Sequence, residues 1–148
     1  MIFFEPTREW VRWLIGFAAE RPIIDVGCGD CRLLDMLNEE KYLKMCGVDP
    51  LVDCDIISEY ILKGIQVIPL RAEELMLCDY SDQVFVFARP SHTGFVASVL
   101  ERSENNVHLY VSKPENVKID IPKHYVVKEL ETPFLRCEKT YLISKNQS

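Results

Sequence analysis

Residues Asp25-Val26-Gly27-Cys28-Gly29-Asp30-Cys31 place two glycines, two carboxylates and two thiols within one short stretch. Glycine at 27 and 29 permits positive φ and lets a ligand reach the backbone without meeting a Cβ. Ile23, Ile24 and Val26 lead into the stretch, and Leu33, Leu34 and Leu37 follow it at helical spacing. The segment therefore reads as strand, tight turn and helix start, with Asp30 able to cap the helix. In α/β folds a turn of this kind binds nucleotides. It is not a phosphate loop, because no Gly-Lys-Ser/Thr is present. The third small residue of a dinucleotide fingerprint would fall near position 32, which is Arg32. Asp25 and Asp30 would also repel a pyrophosphate, so a ligand carrying positive charge fits better.

A second carboxylate site follows. Asp49-Pro50 lies about 20 residues beyond the turn, where an acid can accept hydrogen bonds from ribose hydroxyls. That spacing also occurs in NAD-binding folds, so it supports a nucleoside more firmly than any one cofactor. Cys28-x-x-Cys31 has the spacing of a zinc or redox half-site. A structural zinc needs a second close pair, and Cys46, Cys54, Cys78 and Cys137 form none, so no metal site is expected. Reduced thiols filling small apolar space are the plainer reading. His92, with an ordinary pKa near neutrality, is a candidate general base or else a polar residue in the first turn of a helix.

The elements that must position these groups alternate. Apolar positions Trp10, Trp13, Leu14, Phe17 and Ala18 predict an amphipathic helix over 6–20, with Pro6 in its first turn. Its two tryptophans are a binding surface or, more simply, the face that packs on a sheet. Strand 22–26, helix 30–40, strand 44–48 and helix 53–63 follow. The last of these buries Ile56, Ile57, Tyr60 and Ile61 and ends at Gly64. Next come strand 65–70, the loop Arg71-Ala72-Glu73-Glu74-Leu75, strand 83–88, a helix from Ser91 to 102 and strand 107–112. Gln83-Val84-Phe85-Val86-Phe87-Ala88 is apolar on both faces, as a central parallel strand should be. Residues 114–123 read as irregular. Strands 125–130 and 136–144 are joined so closely, through Glu131-Thr132-Pro133-Phe134, that only an antiparallel hairpin fits.

The predicted fold is thus α/β, a Rossmann-like doubly wound sheet of about seven strands in an α/β/α sandwich. The sheet is mostly parallel with an antiparallel C-terminal hairpin. At 148 residues one domain is expected, with an N-terminal helix (1–21), a βαβ cofactor-binding core (22–112) and a hairpin region (113–148). The 48% hydrophobic and 27% charged fractions are ordinary for a soluble protein. No apolar run approaches the ~20 residues of a membrane span, and no secretory leader is recognisable, so a cytoplasmic location is expected. A net charge of −6 argues against a surface built to wrap nucleic acid.

Position by position, residues 25–31 resemble the first motif of class I S-adenosylmethionine-dependent methyltransferases, acid-x-Gly-x-Gly-x-Gly, with Cys31 where the third glycine stands. The alternating elements extend the resemblance over nearly the whole chain, which is similar to the smallest members of that family. The resemblance implies S-adenosyl-L-methionine as cofactor, with Asp25, Gly27, Cys28 and Gly29 at its methionine part. Asp49 and Pro50 would meet its ribose, and Ala72 and Glu73 its adenine. Arg89-Pro90-Ser91-His92 would face the transferred methyl group, making Arg89 a further cofactor contact and Arg89 and His92 the catalytic candidates. The expected function is methyl transfer to an acceptor, with a homodimer or partner protein completing the acceptor site. The alternatives are a non-catalytic module that keeps the cofactor fold and a nicotinamide-dependent oxidoreductase. Cys31, Arg71 and the short C-terminal half favour the module. Arg32 and the acidic turn disfavour the oxidoreductase.

Overall fold

The computed structural model describes residues 6–71, 74, 82–88, 94–102, 107–112, 121–132, 135 and 138–145. In chain order these form α1 (Arg8–Ala18), β1 (Ile23–Val26), α2 (Arg32–Glu39), β2 (Met45–Val48), α3 (Cys54–Leu62) and β3 (Gln66–Ile68). Then come β4 (Val84–Ala88), α4 (Gly94–Arg102), β5 (Val107–Ser112), β6 (Tyr125–Leu130) and β7 (Lys139–Lys145).

The seven strands make one sheet in the order β3-β2-β1-β4-β5-β7-β6. β1 to β5 are parallel, and the chain order reverses at β1, which has β2 on one side and β4 on the other. β6 and β7 pair antiparallel, as the hairpin reading requires, but β7 is the inner strand and also pairs antiparallel with β5. Burial explains which member of the hairpin goes inside. β7 carries the fully buried Thr140 and Ile143, whereas β6 leaves Val126 and Val127 exposed at the edge.

The alternation of each strand sends apolar residues to two layers. Ile23, Val84, Val86, Leu109 and Val111 pack against Trp10, Val11, Leu14 and Ala18 of α1 and Leu33 and Leu37 of α2. On the other face Ile24, Val26, Phe85, Phe87 and Tyr110 meet Val96, Val99 and Leu100 of α4. A third cluster joins Cys28, Cys31 and Leu34 to Val52, Tyr60, Ile65 and Val67 beside α3. Trp10 is fully buried, and its indole N–H donates to Thr140 Oγ1 at 3.0 Å. That settles its place as packing of α1 on the sheet rather than as an open surface.

Local chemistry sets the boundaries. Thr7 caps α1 by accepting from Trp10 N at 3.1 Å, so the helix begins after Pro6 instead of at it. Arg21 closes the other end, its guanidinium donating to the carbonyls of Ala18 (2.8 Å) and Phe17 (2.7 Å). Asp53 caps α3 through Ile56 N, and Gly64 follows it at φ +79°. Of the residues expected to face inward on α3, Tyr60 is buried and Ile56 and Ile57 are partly buried. Ile61 is 61% exposed, because α3 covers only the short edge strand β3. β3 is shorter than the expected 65–70 because Ile65 is spent on the turn, its N–H donating to Tyr60 O, and because Pro69, which has no N–H, follows its last residue. β7 begins three residues later than expected, at Lys139. Among the described residues no helix is long and apolar enough to cross a membrane.

Candidate cofactor site at the ends of β1 and β2

β1 ends in the middle of the sheet at the point where strand order reverses, which is where open α/β sheets hold ligands. Asp25 sits one residue before that end. Its register neighbours are Gly47 on β2 and Val86 on β4, and it is only 3% exposed. No hydrogen-bond donor reaches its carboxylate among the described residues. Burial, then the carboxylates of Asp49 and Asp30, push its pKa up from 3.8 to about 7. Among the described residues this carboxyl has no positive charge to pair with.

The turn above it is pinned from β2. Gly27 N and Cys28 N both donate to Val48 O, at 2.6 and 3.2 Å. Gly29 N donates to Asp49 Oδ2 at 3.0 Å, while Leu51 N donates to Asp49 Oδ1 at 2.8 Å. Asp49 therefore ties the first turn to the second and still keeps lone pairs on both oxygens. Gly27 (φ +82°) and Gly29 (φ +54°) lie in the left-handed region, and a Cβ on Gly27 would meet nothing within 4 Å. Open space over a bare backbone is what a close-lying ligand needs.

Cys31 departs from the expected pattern in a second way. It occupies the N-cap position of α2 at φ +64°, makes no side-chain cap bond and is fully buried. Asp30 is therefore not the N-cap. Sitting one residue earlier, its carboxylate instead accepts from Arg32 N at 3.2 Å. Cys31 N donates to Cys28 O at 2.8 Å, and the two sulfurs lie 3.8 Å apart. The hydrogen bond to Cys31, burial and the nearby Asp25 raise the Cys28 thiol pKa well above its ordinary value. Burial, then Asp25, raise that of Cys46 to about 11. Among the described residues no three His, Cys, Asp or Glu side chains are placed to hold a metal.

Asp25, Gly27, Cys28, Gly29, Asp49 and Pro50 thus come together at one end of the sheet. Ala72, Glu73, Arg89 and His92 lie outside the described residues. Arg71 is exposed, and its N–H donates to Glu74 Oε1 at 3.3 Å. Two positions escaped the sequence reading. Gly47 has no room for a side chain: a Cβ there would fall 2.7 Å from Leu34 Cδ1 and 2.9 Å from Cys28 Sγ. A glycine inside a strand pattern is the signal that could have flagged it. Leu51, 88% exposed, offers apolar surface directly after Asp49-Pro50.

Comparison with known proteins places this geometry. Residues 10–113 match the family model described as methionine biosynthesis protein MetW. No curated protein matches the chain in sequence. Among solved structures it is similar to yhhF from Escherichia coli, itself a proposed methyltransferase. That pair is 13% identical with a TM-score of 0.66, over 98% of this chain and 90% of that one. The 23S rRNA methyltransferase ErmE is 14% identical with a TM-score of 0.64, over 97% of this chain and 70% of that one. A mutant of MtNAS in complex with S-adenosylmethionine is 15% identical with a TM-score of 0.67, over 93% of this chain and 62% of that one. At such identities the likeness concerns the fold, which is that of the class I S-adenosylmethionine-dependent methyltransferases. By the match that runs from α1 through β5, the chain belongs to the MetW family.

Proposed function

We propose that the chain binds S-adenosyl-L-methionine over the turn after β1 and transfers its methyl group to an acceptor. The observation that carries this reading is Asp25: a buried carboxyl with no donor among the described residues, beneath two positive-φ glycines where strand order reverses. A cationic ligand supplies the missing partner, and a phosphate-rich one does not. The complex of MtNAS with S-adenosylmethionine supports the choice of cation.

Bound there, S-adenosylmethionine supplies a methyl group on a sulfonium, open to displacement by a lone pair of the acceptor. The chain's own part is holding and aligning. Asp25 would hold positive charge, and Gly27, Cys28 and Gly29 would present bare backbone. Asp49 would accept ribose hydroxyls with the lone pairs left over from Gly29 and Leu51, and Pro50 and Leu51 would offer apolar surface beside it. Ala72 and Glu73 are proposed at the adenine, and Arg89 and His92 toward the acceptor, on the family resemblance alone. Displacement at a methyl group depends mainly on alignment, so few acid–base groups are required. A partner protein or a second copy of the chain would complete the acceptor site.

One feature favours the second reading, a module that keeps the cofactor and transfers nothing. Cys31 places a buried side chain and a left-handed backbone at the position of the third glycine. Calorimetric titration with S-adenosylhomocysteine, S-adenosylmethionine and NAD tests both readings. Binding of the two sulfur nucleosides and not NAD is expected, and binding of NAD alone refutes the proposal. Binding without methylation in any tested extract selects the module.

A further inference from the structure

We propose that Cys28 and Cys31 are a redox modification site, forming a reversible intramolecular disulfide across the turn between β1 and α2. Three observations carry it. The sulfurs already lie 3.8 Å apart, in contact and short of a bond of about 2.05 Å by a distance that side-chain rotation can close. The hydrogen bond from Cys31 N to Cys28 O closes a four-residue turn, which keeps the two Cα atoms within the ~7 Å that a disulfide can bridge. Finally, Cys31 holds a left-handed backbone that cysteine rarely adopts, yet its side chain caps nothing. Its sulfur meets Cys28 Sγ and, at 3.9 Å, Gly29 O.

The reaction needs an external oxidant, and a small-molecule disulfide suffices. Cys28, the more exposed of the two at 6% against 0%, attacks one sulfur of the oxidant as its thiolate. The oxidant's S–S bond breaks, and one small thiolate leaves and takes up a proton. The Cys31 thiolate then attacks Cys28 Sγ and expels the second small thiol. Two protein S–H bonds are lost, one S–S bond forms, and the oxidant is reduced to two thiols. The hydrogen bond with Cys31, burial and the neighbouring Asp25 carboxylate disfavour the Cys28 thiolate, so exchange is slow at neutral pH and quickens toward alkaline conditions.

Closing the bond draws Cys28 Sγ from its seat against Leu34 and Gly47 and stiffens the turn that holds Gly29 to Asp49. Resting on the proposed cofactor site, a ligand over this turn covers Cys28. The disulfide form then binds it at least tenfold more weakly, and by reciprocity the ligand opposes oxidation.

The test incubates the full chain with glutathione disulfide at pH 8, unfolds it in guanidinium chloride with N-ethylmaleimide to block remaining thiols, and reads intact mass and peptide maps. The expected product has Cys28 and Cys31 unalkylated and linked, their peptide about 2 Da lighter than its dithiol form, and dithiothreitol reverses it. Cys54→Ser should behave like the wild type. Cys31→Gly, which accepts the left-handed backbone, should lose the 2 Da change and keep its circular dichroism spectrum. Alkylation of both Cys28 and Cys31 after exhaustive oxidation overturns the proposal, as does their linkage to other cysteines. Titration with S-adenosylhomocysteine separates the two layers. If neither form binds, the cofactor reading fails while the disulfide stands, and if both bind equally the regulatory half falls.

Discussion

Asp25→Asn should make the empty protein more stable at alkaline pH while destroying its ligand site. In the folded chain the Asp25 carboxyl gives up its proton only near pH 7, against 3.8 when exposed to water. Between those values the folded state holds a proton that the unfolded state has released, so stability falls as the pH rises through the window. At ~1.36 kcal/mol per pH unit the interval amounts to roughly 4 kcal/mol, fully lost above pH 7. Asparagine cannot ionise and escapes that loss, although its buried amide costs about 1–3 kcal/mol at every pH. The amide cost cancels when pH values are compared. Urea unfolding of both proteins at pH 5, 6, 7 and 8 should therefore show the variant gaining about 3 kcal/mol on the wild type across the series. A gap that changes by less than about 1 kcal/mol would refute the reasoning, for it would mean that the carboxylate is already solvated or paired. The same variant should bind S-adenosylhomocysteine at least tenfold more weakly. Wild-type affinity should fall below pH 7, because binding a cation there requires the ionised carboxylate.

Three further expectations follow from other residues. Asp49→Ala removes the acceptor for Gly29 N and Leu51 N, and should cost about 2 kcal/mol in urea unfolding and abolish calorimetric binding of S-adenosylhomocysteine. Gly47→Ala drives a methyl group into Leu34 and Cys28, and a loss of about 1–3 kcal/mol is expected; an unchanged urea midpoint would refute the close packing of Cys28 and Leu34 over β2. His108 is buried beside Phe85, Phe87 and Tyr125, and burial lowers its pKa from 6.5 to about 4. The unfolded state takes up a proton that the folded state refuses, so stability falls by roughly 3 kcal/mol as the pH drops from 6.5 to 4. His108→Phe should flatten that acid limb, and an unaltered slope between pH 6.5 and 4.5 would count against the assignment.

The sequence determined most of the local pattern. Periodicity marked the elements, because strands and helices repeat their apolar residues at different intervals whatever surrounds them. Asp25, Gly27, Gly29 and Asp49 were legible as candidates because their spacing is a property of the chain, while the pairing of β1 with β2 brings Asp49 to the turn. Tertiary structure decided what depends on distant partners. β7 lies inside β6 because Thr140 and Ile143 need cover that β5 supplies. Ile61 stays exposed because the sheet ends at β3. Gly47 is obligatory only because Cys28 and Leu34 fold over it. Asp25 has its raised pKa because burial and two other carboxylates converge on it. Such effects arise when residues far apart in the chain compete for one volume, and no local spacing records that competition.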